Sequence, residues 1–180
     1  GLNNLTKKQN LRNVVLFLGV TLNNMTPPDA SIFLKKLHKS LNKQDLLLIG
    51  FDLIKSPKII HNAYNDSRGL FEKFNLHLLD RINKVLGGSF NKDFFVHQGH
   101  YNPKVQALES YLYSTKNQSV RIRNLNKDFT FKAWEGTKTE QSYKFSIEEI
   151  ELMAERNGFQ VTKKLYDSRK YFVDSLWEVQ

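Results

Sequence analysis

The stretch Val14-Val15-Leu16-Phe17-Leu18-Gly19-Val20-Thr21-Leu22-Asn23-Asn24-Met25-Thr26-Pro27 reads as a strand, a tight polar loop and the start of a helix. Val14 to Leu18 is an unbroken apolar run, the pattern of a strand covered on both faces, as in a parallel sheet. Gly19 breaks it. Thr26 then stands as an N-cap, with Pro27 at the first helical position and Asp29 three residues after the cap. Ala30, Phe33, Leu34, Leu37 and Leu41 recur at helical spacing and give that helix one apolar face. Gln44-Asp45 turns the chain into a second apolar strand, Leu46 to Leu53. Strand, helix and strand in this order make a βαβ unit, whose crossover is expected to be right-handed. Open α/β sheets bind ligands beyond the carboxyl ends of their strands, so the loop from Gly19 to Asn24 is a ligand-facing corner. The glycine-rich phosphate turn that opens many such folds occurs nowhere in the chain, which suggests the later half of an enzyme.

Composition narrows the class. At 180 residues the chain can bury one sizeable core, and 13 Phe, 7 Tyr and 2 Trp give that core bulky anchors. The absence of Cys excludes disulfide stapling, thiolate catalysis and cysteine-ligated zinc, and makes a reducing cytoplasm the default location. Apolar runs such as Val14–Leu18 are far too short to span a bilayer. The start at Gly1, without Met, suggests a trimmed chain. The net charge of +9 would suit a nucleic-acid partner, but the Lys and Arg residues are scattered singly or in pairs and read as solvated surface. His97 and His100, three apart in a strand region, would face opposite sides, and the five His residues have no metal-like spacing. Glu148-Glu149 suit a helix N-terminus, not acid/base chemistry.

Beyond Ile54 the pattern changes. Ser56-Pro57 starts a short helix through Tyr64, and a longer one runs from about Arg68 to Leu86, with Phe71, Phe74, Leu78, Ile82 and Val85 as its expected buried face. Gly87-Gly88 ends it. Four alternating segments follow, Phe94–His100, Val105–Thr115, Ser119–Asn124 and Phe129–Trp134, expected as an antiparallel meander or a pair of hairpins. Thr137–Phe145 is polar and extended. Ser146 and Glu149 form a capping box for a last helix that Gly158 stops, and Phe159–Asp167 with Tyr171–Trp177 reads as a closing antiparallel pair. Leu2 to Asn10 could be the tail of a preceding helix.

Four short stretches carry a resemblance: Leu16 to Asn24, Asp52-Leu53, Ala63-Tyr64-Asn65-Asp66 and Thr139-Glu140-Gln141-Ser142-Tyr143-Lys144-Phe145. In this order, and with Phe74-Asn75-Leu76-His77-Leu78-Leu79 and His100-Tyr101-Asn102-Pro103 between them, the chain resembles the histidine N-alpha-methyltransferase family. These are the S-adenosylmethionine-dependent enzymes of ergothioneine synthesis and their relatives. The resemblance implies an α/β fold: the C-terminal part of a class I, Rossmann-like methyltransferase sheet with an inserted α+β substrate domain. Residues 1–54 and 145–180 would form the partial methyltransferase domain, and residues 55–144 the inserted substrate-binding domain. The cofactor would be S-adenosylmethionine, held by a glycine-rich loop and a ribose-binding acid upstream of this chain. The chain alone would then bind it poorly and be inactive, and sheet edges left without neighbours could make it self-associate.

The same resemblance implies site residues. Gly19 and Asn24 fall where the family's loop approaches the substrate amine and carboxylate; Gly permits close backbone approach and an Asn amide can both donate and accept. Tyr64 matches a tyrosine whose hydroxyl binds the substrate carboxylate, and Glu140 with Ser142 matches the pair that hydrogen-bonds the imidazole. No residue is assigned as a catalytic base. Three positions depart from the family. Val20 stands for the usual Ser, and Asn23 for a Gly whose positive φ an Asn can tolerate. Ser110 stands where a Met packs on the imidazole, so the pocket would be roomier or more polar. A different small amine substrate is one alternative reading; a non-catalytic basic module that binds nucleic acid is another.

Overall fold

The computed structural model describes residues 11–180, so the reading of Leu2 to Asn10 lies outside the described residues. The described residues form two units, one of residues 11–55 with 142–180 and the other of residues 56–141.

The first unit is a four-stranded sheet with helices packed on one face. Its strands are β1 (Val14–Phe17), β2 (Leu46–Asp52), β8 (Phe159–Tyr166) and β9 (Phe172–Val179), in the order β1-β2-β9-β8. β1 pairs parallel to β2, and β9 runs antiparallel to both β2 and β8. Helix α1 (Pro27–Lys39) makes the crossover, capped by the Thr26 hydroxyl, which accepts from the Asp29 N–H. Helix α4 (Ile147–Arg156) opens with the complete Ser146/Glu149 capping box. The core joins Leu34 and Leu37 of α1, Leu47, Ile49 and Phe51 of β2, Ile150 of α4, and Val173 and Trp177 of β9, all fully or nearly fully buried. Burial of such side chains contributes about 1.5–3 kcal/mol each, which is why the alternate residues of β2 and β9 fix the register.

β1 departs from expectation. Val15 and Phe17 pack on the core, but Val14 and Leu16 are 56% and 61% exposed. β1 is an edge strand covered on one face only among the described residues. A run of five apolar residues cannot distinguish a strand that is covered on both faces within the described chain from one that is not.

The second unit begins with α2 (Pro57–Tyr64) and α3 (Leu70–Leu86). Strands β3 (Phe95–Asn102) and β4 (Ala107–Ser114) form a hairpin joined to β7 (Gly136–Tyr143), in the order β3-β4-β7. β5 (Gln118–Ile122) and β6 (Lys127–Phe131) form a separate hairpin, so the four alternating segments become two hairpins.

The buried face of α3 differs from the expected one. Asn75 and Leu79 are buried and Phe71 and Ile82 half-buried, while Phe74, Leu78 and Val85 are 69%, 40% and 59% exposed. The cause is a polar anchor. The Asn75 amide donates to the Phe71 carbonyl at 3.2 Å and its oxygen accepts from the Thr139 hydroxyl at 2.9 Å, so a residue that hydrophobicity places outside is satisfied inside.

Candidate active site

The corner after β1 is built on two successive left-handed residues. Gly19 has φ 78° and Val20 φ 56°, and a 3-10 turn over Thr21–Asn24 follows. Gly19 is required for its dihedral and not for space, since a Cβ there would meet nothing within 4 Å. That open backbone is what a closely approaching ligand needs. Asn24 is exposed at the end of the turn.

Asn23 does something other than the sequence suggests. The positive φ belongs to Gly19 and Val20, and Asn23 is fully buried. Its Nδ2 donates to the Tyr143 carbonyl at 2.7 Å and reaches the Asp52 carbonyl at 3.4 Å. One amide thus ties the corner to the end of β2 and to the residue after Ser142. Its Oδ1 has no hydrogen-bond partner among the described residues.

Ser142 is buried, and so is Lys144 two residues on. The Lys144 side chain has no exposed surface; its Nζ donates to Ser142 Oγ at 2.7 Å and lies 3.0 Å from Asp52 Oδ2. The other Asp52 oxygen pairs with Lys55, whose ammonium also donates to the Tyr171 carbonyl at 2.8 Å. Asp52 is the last residue of β2 and Phe145 bridges to Leu53, so this polar cluster lies at the carboxyl ends of the parallel strands. The sequence reading took Asn23 for a turn residue and gave no site role to Asp52 or Lys144. A charged residue in register with Ser142, directly before the apolar Phe145, was the available signal for Lys144.

In the second unit, Tyr64 ends α2, half-buried, with its ring edge-on to Phe71 at 4.6 Å. Asn65 beside it clips the helix to β3: its Oδ1 accepts from the Gly99 N–H at 2.8 Å and its Nδ2 donates to the Gly99 carbonyl at 3.0 Å. A Cβ on Gly99 would sit 3.1 Å from that of Tyr64, so glycine allows this approach. Tyr64, Asp66, Glu72 and His97 line a cavity of about 320 Å³. His97 is buried and its Nε2 has no partner among the described residues. Burial holds its pKa below the usual histidine value, against the opposing pull of Glu72, whose carboxylate accepts from the His97 backbone N–H at 3.2 Å. His100 is exposed, so the two histidines do face opposite sides.

Ser110 lies directly across from Gly99 in the β3/β4 ladder, 1% exposed, and its Oγ has no partner among the described residues. Its carbonyl lies 3.3 Å from the Thr139 hydroxyl oxygen, as the longer arm of the hydrogen bond that Thr139 gives to Asn75. Glu140 is half-buried on β7, next to β4 in the sheet. The structure therefore links Gly19, Asn24 and Ser142 through Asn23 in one unit, and Tyr64 and Ser110 through Gly99 in the other, where Glu140 also lies.

Among the described residues no group of His, Asp and Glu is placed to hold a metal, and no helix is long and apolar enough to cross a membrane. Nor do these residues make a cradle for a nucleotide cofactor. No glycine-rich turn follows a strand, and the acid at the end of β2 is already engaged by two lysines.

An α/β sheet with polar side chains gathered at the carboxyl ends of its parallel strands has the layout of a ligand-binding α/β enzyme. Comparison with known proteins gives the class. The family model for histidine-specific, S-adenosylmethionine-dependent methyltransferases matches residues 1–179. The histidine N-alpha-methyltransferase of Mycolicibacterium smegmatis is 35% identical over 139 residues, 77% of this chain and 43% of that protein. Ergothioneine biosynthesis protein 1 of Schizosaccharomyces pombe is 29% identical over 160 residues, 88% of this chain and 20% of that protein. A solved S-adenosylmethionine-dependent methyltransferase from Clostridium acetobutylicum superposes with a TM-score of 0.48 at 10% identity, covering 97% of this chain and 61% of that one. The chain belongs to the family of histidine-specific methyltransferases that use S-adenosylmethionine. It spans less than half the length of the curated relatives it matches.

Proposed function

We propose that the full-length protein transfers a methyl group from S-adenosylmethionine to the α-amine of histidine or a closely related amino acid, and that this chain supplies most of the substrate-recognition groups. The cofactor supplies an electrophilic methyl; the residues described above act on the substrate. Gly19 leaves its backbone open to the amino acid, and the exposed Asn24 amide can accept from the amine and donate to the carboxylate. Tyr64 offers a hydroxyl to the carboxylate. Glu140 and Ser142, two apart on an extended strand, present their side chains to one side for the imidazole. The neutral amine would present its lone pair to the electrophilic methyl, with S-adenosylhomocysteine as the leaving group, and would pass a proton to solvent, since no residue is assigned as base. Positioning and exclusion of water then supply much of the rate.

The observation that carries this reading is the Asn23 bracket. A fully buried amide ties the loop that carries Gly19 and Asn24 to the end of β2 and to Tyr143, the residue after Ser142, which supports a common role for them. A second reading, a related amino acid with a larger or more polar side chain, is favoured by the small, buried and unpartnered hydroxyl of Ser110. Calorimetry of the full-length protein, with S-adenosylhomocysteine present, against a panel of amino acids separates the two. Histidine as the tightest ligand supports the first reading, a different amino acid supports the second, and no response to any of them contradicts both.

A further inference from the structure

Lys144 is a cation with no exposed side-chain surface, and nothing in the proposed reaction uses it. Its partners explain what it does to Ser142. An ammonium group has three N–H donors and no acceptor, so at 2.7 Å the Ser142 oxygen must be the acceptor. The Ser142 proton is thereby turned away from Lys144. Ser142 keeps that proton and one further lone pair, and among the described residues no protein group takes the proton, so a ligand acceptor completes the hydroxyl whereas a ligand N–H would leave its proton unpaired.

We propose that Lys144, held in place by Asp52, is a positioning residue that fixes the Ser142 hydroxyl as a donor, so the site takes a ligand presenting a bare nitrogen or another acceptor there and rejects an N–H. This rests on the reading of Ser142 as an imidazole contact. For histidine it means that the neutral ring binds, in the tautomer with its lone pair toward Ser142, and the imidazolium does not. The charges around Ser142 act in the same direction. Asp52 on β2 faces Lys144 and is shared with Lys55, so two cations surround one anion. Asp167, in the turn between β8 and β9, has its pKa lowered mainly by the backbone N–H of Phe172 and least by Lys55; Glu140 is the acid on Ser142's own strand. Of these groups Lys144 is the one hydrogen-bonded to Ser142, so the charge in contact with that hydroxyl is positive, which disfavours a second cation on the same oxygen.

The ring of histidine gains its proton near pH 6.5, whereas a thiazole analogue of histidine keeps a bare ring nitrogen across the same range. Calorimetry of the full-length protein with S-adenosylhomocysteine, from pH 8 to pH 5, reads the difference. The expected affinity for histidine falls by about tenfold per pH unit below pH 6.5, and that for the thiazole analogue stays flat. Lys144→Met frees the Ser142 hydroxyl to rotate and accept, so its expected pH profile for histidine is shallower. Ser142→Ala, the smaller change, weakens histidine by about tenfold at pH 8, with its melting temperature checked to show the fold intact. Profiles of Lys144→Met and wild type that coincide, or Ser142→Ala with unchanged affinity, overturn the role of Lys144. Absence of histidine binding by the wild type at every pH overturns instead the functional reading on which it rests.

Discussion

Val20 holds φ 56° with a β-branched side chain, a conformation that costs an L-residue roughly 1–2 kcal/mol, and it does so at the corner where ligand recognition is proposed. Strain of this kind persists where surroundings over-determine it, and here Asn23 and the buried Leu22 supply that constraint. Residue-scale chemistry was the least legible part of the sequence. Gly19 could be read as a break, but only the folded chain shows that Val20 shares its conformation and that Asn23 is a buried bracket. A second buried polar residue, Asp45, is expected to make stability depend on pH. Burial alone would raise its pKa, but the Asn13 side chain and the backbone N–H groups of Asn42 and Asn13 all donate to it and hold the carboxyl below its usual range. A group with a lowered folded pKa stabilises the fold above its unfolded value, about 3.9, and that contribution disappears as pH falls through the folded value. Melting curves between pH 6 and pH 2 are expected to show stability falling below about pH 4, and Asp45→Asn to remove part of that slope. A slope untouched by the substitution contradicts the role of the Asp45 network.

Elements were more legible than their faces. Caps and breakers gave α1 and α4 nearly residue by residue, because the Thr26 and Ser146 hydroxyls satisfy local N–H groups whatever surrounds them. The closing pair β8/β9 followed from alternation. What alternation and helical period do not contain is the choice a helix makes between two apolar arcs. On α3 the arc through Phe74, Leu78 and Val85 is the more hydrophobic, yet the helix buries Asn75 and Leu79 because Thr139 waits for the Asn75 amide. This yields a test at the same scale. Leu79→Ala is expected to cost about 2–5 kcal/mol in denaturant unfolding, while Phe74→Asp changes stability by no more than about 0.5 kcal/mol. The reverse ranking would show that the helix is rotated from the face described.

At the scale of the molecule, a parallel strand–helix–strand unit and a closing antiparallel pair were legible in the sequence, whereas the strand order β1-β2-β9-β8 is seen only in the fold. The cluster of Asn23, Asp52, Ser142 and Lys144 was not legible in the sequence either, because its members are up to 121 positions apart (Asn23 to Lys144) and meet only when β2 and β7 end together. The chain belongs to a methyltransferase family but spans less than half of its curated relatives, so its chemistry has to be tested in the full-length protein. The most direct measurement is transfer of labelled methyl from S-adenosylmethionine to histidine by that protein, with the product identified by mass. Methylation at the α-nitrogen, abolished by Asn24→Ala with Tyr64→Phe, is the expected result. Methylation of a ring nitrogen, or no transfer to any amino acid, would contradict the account.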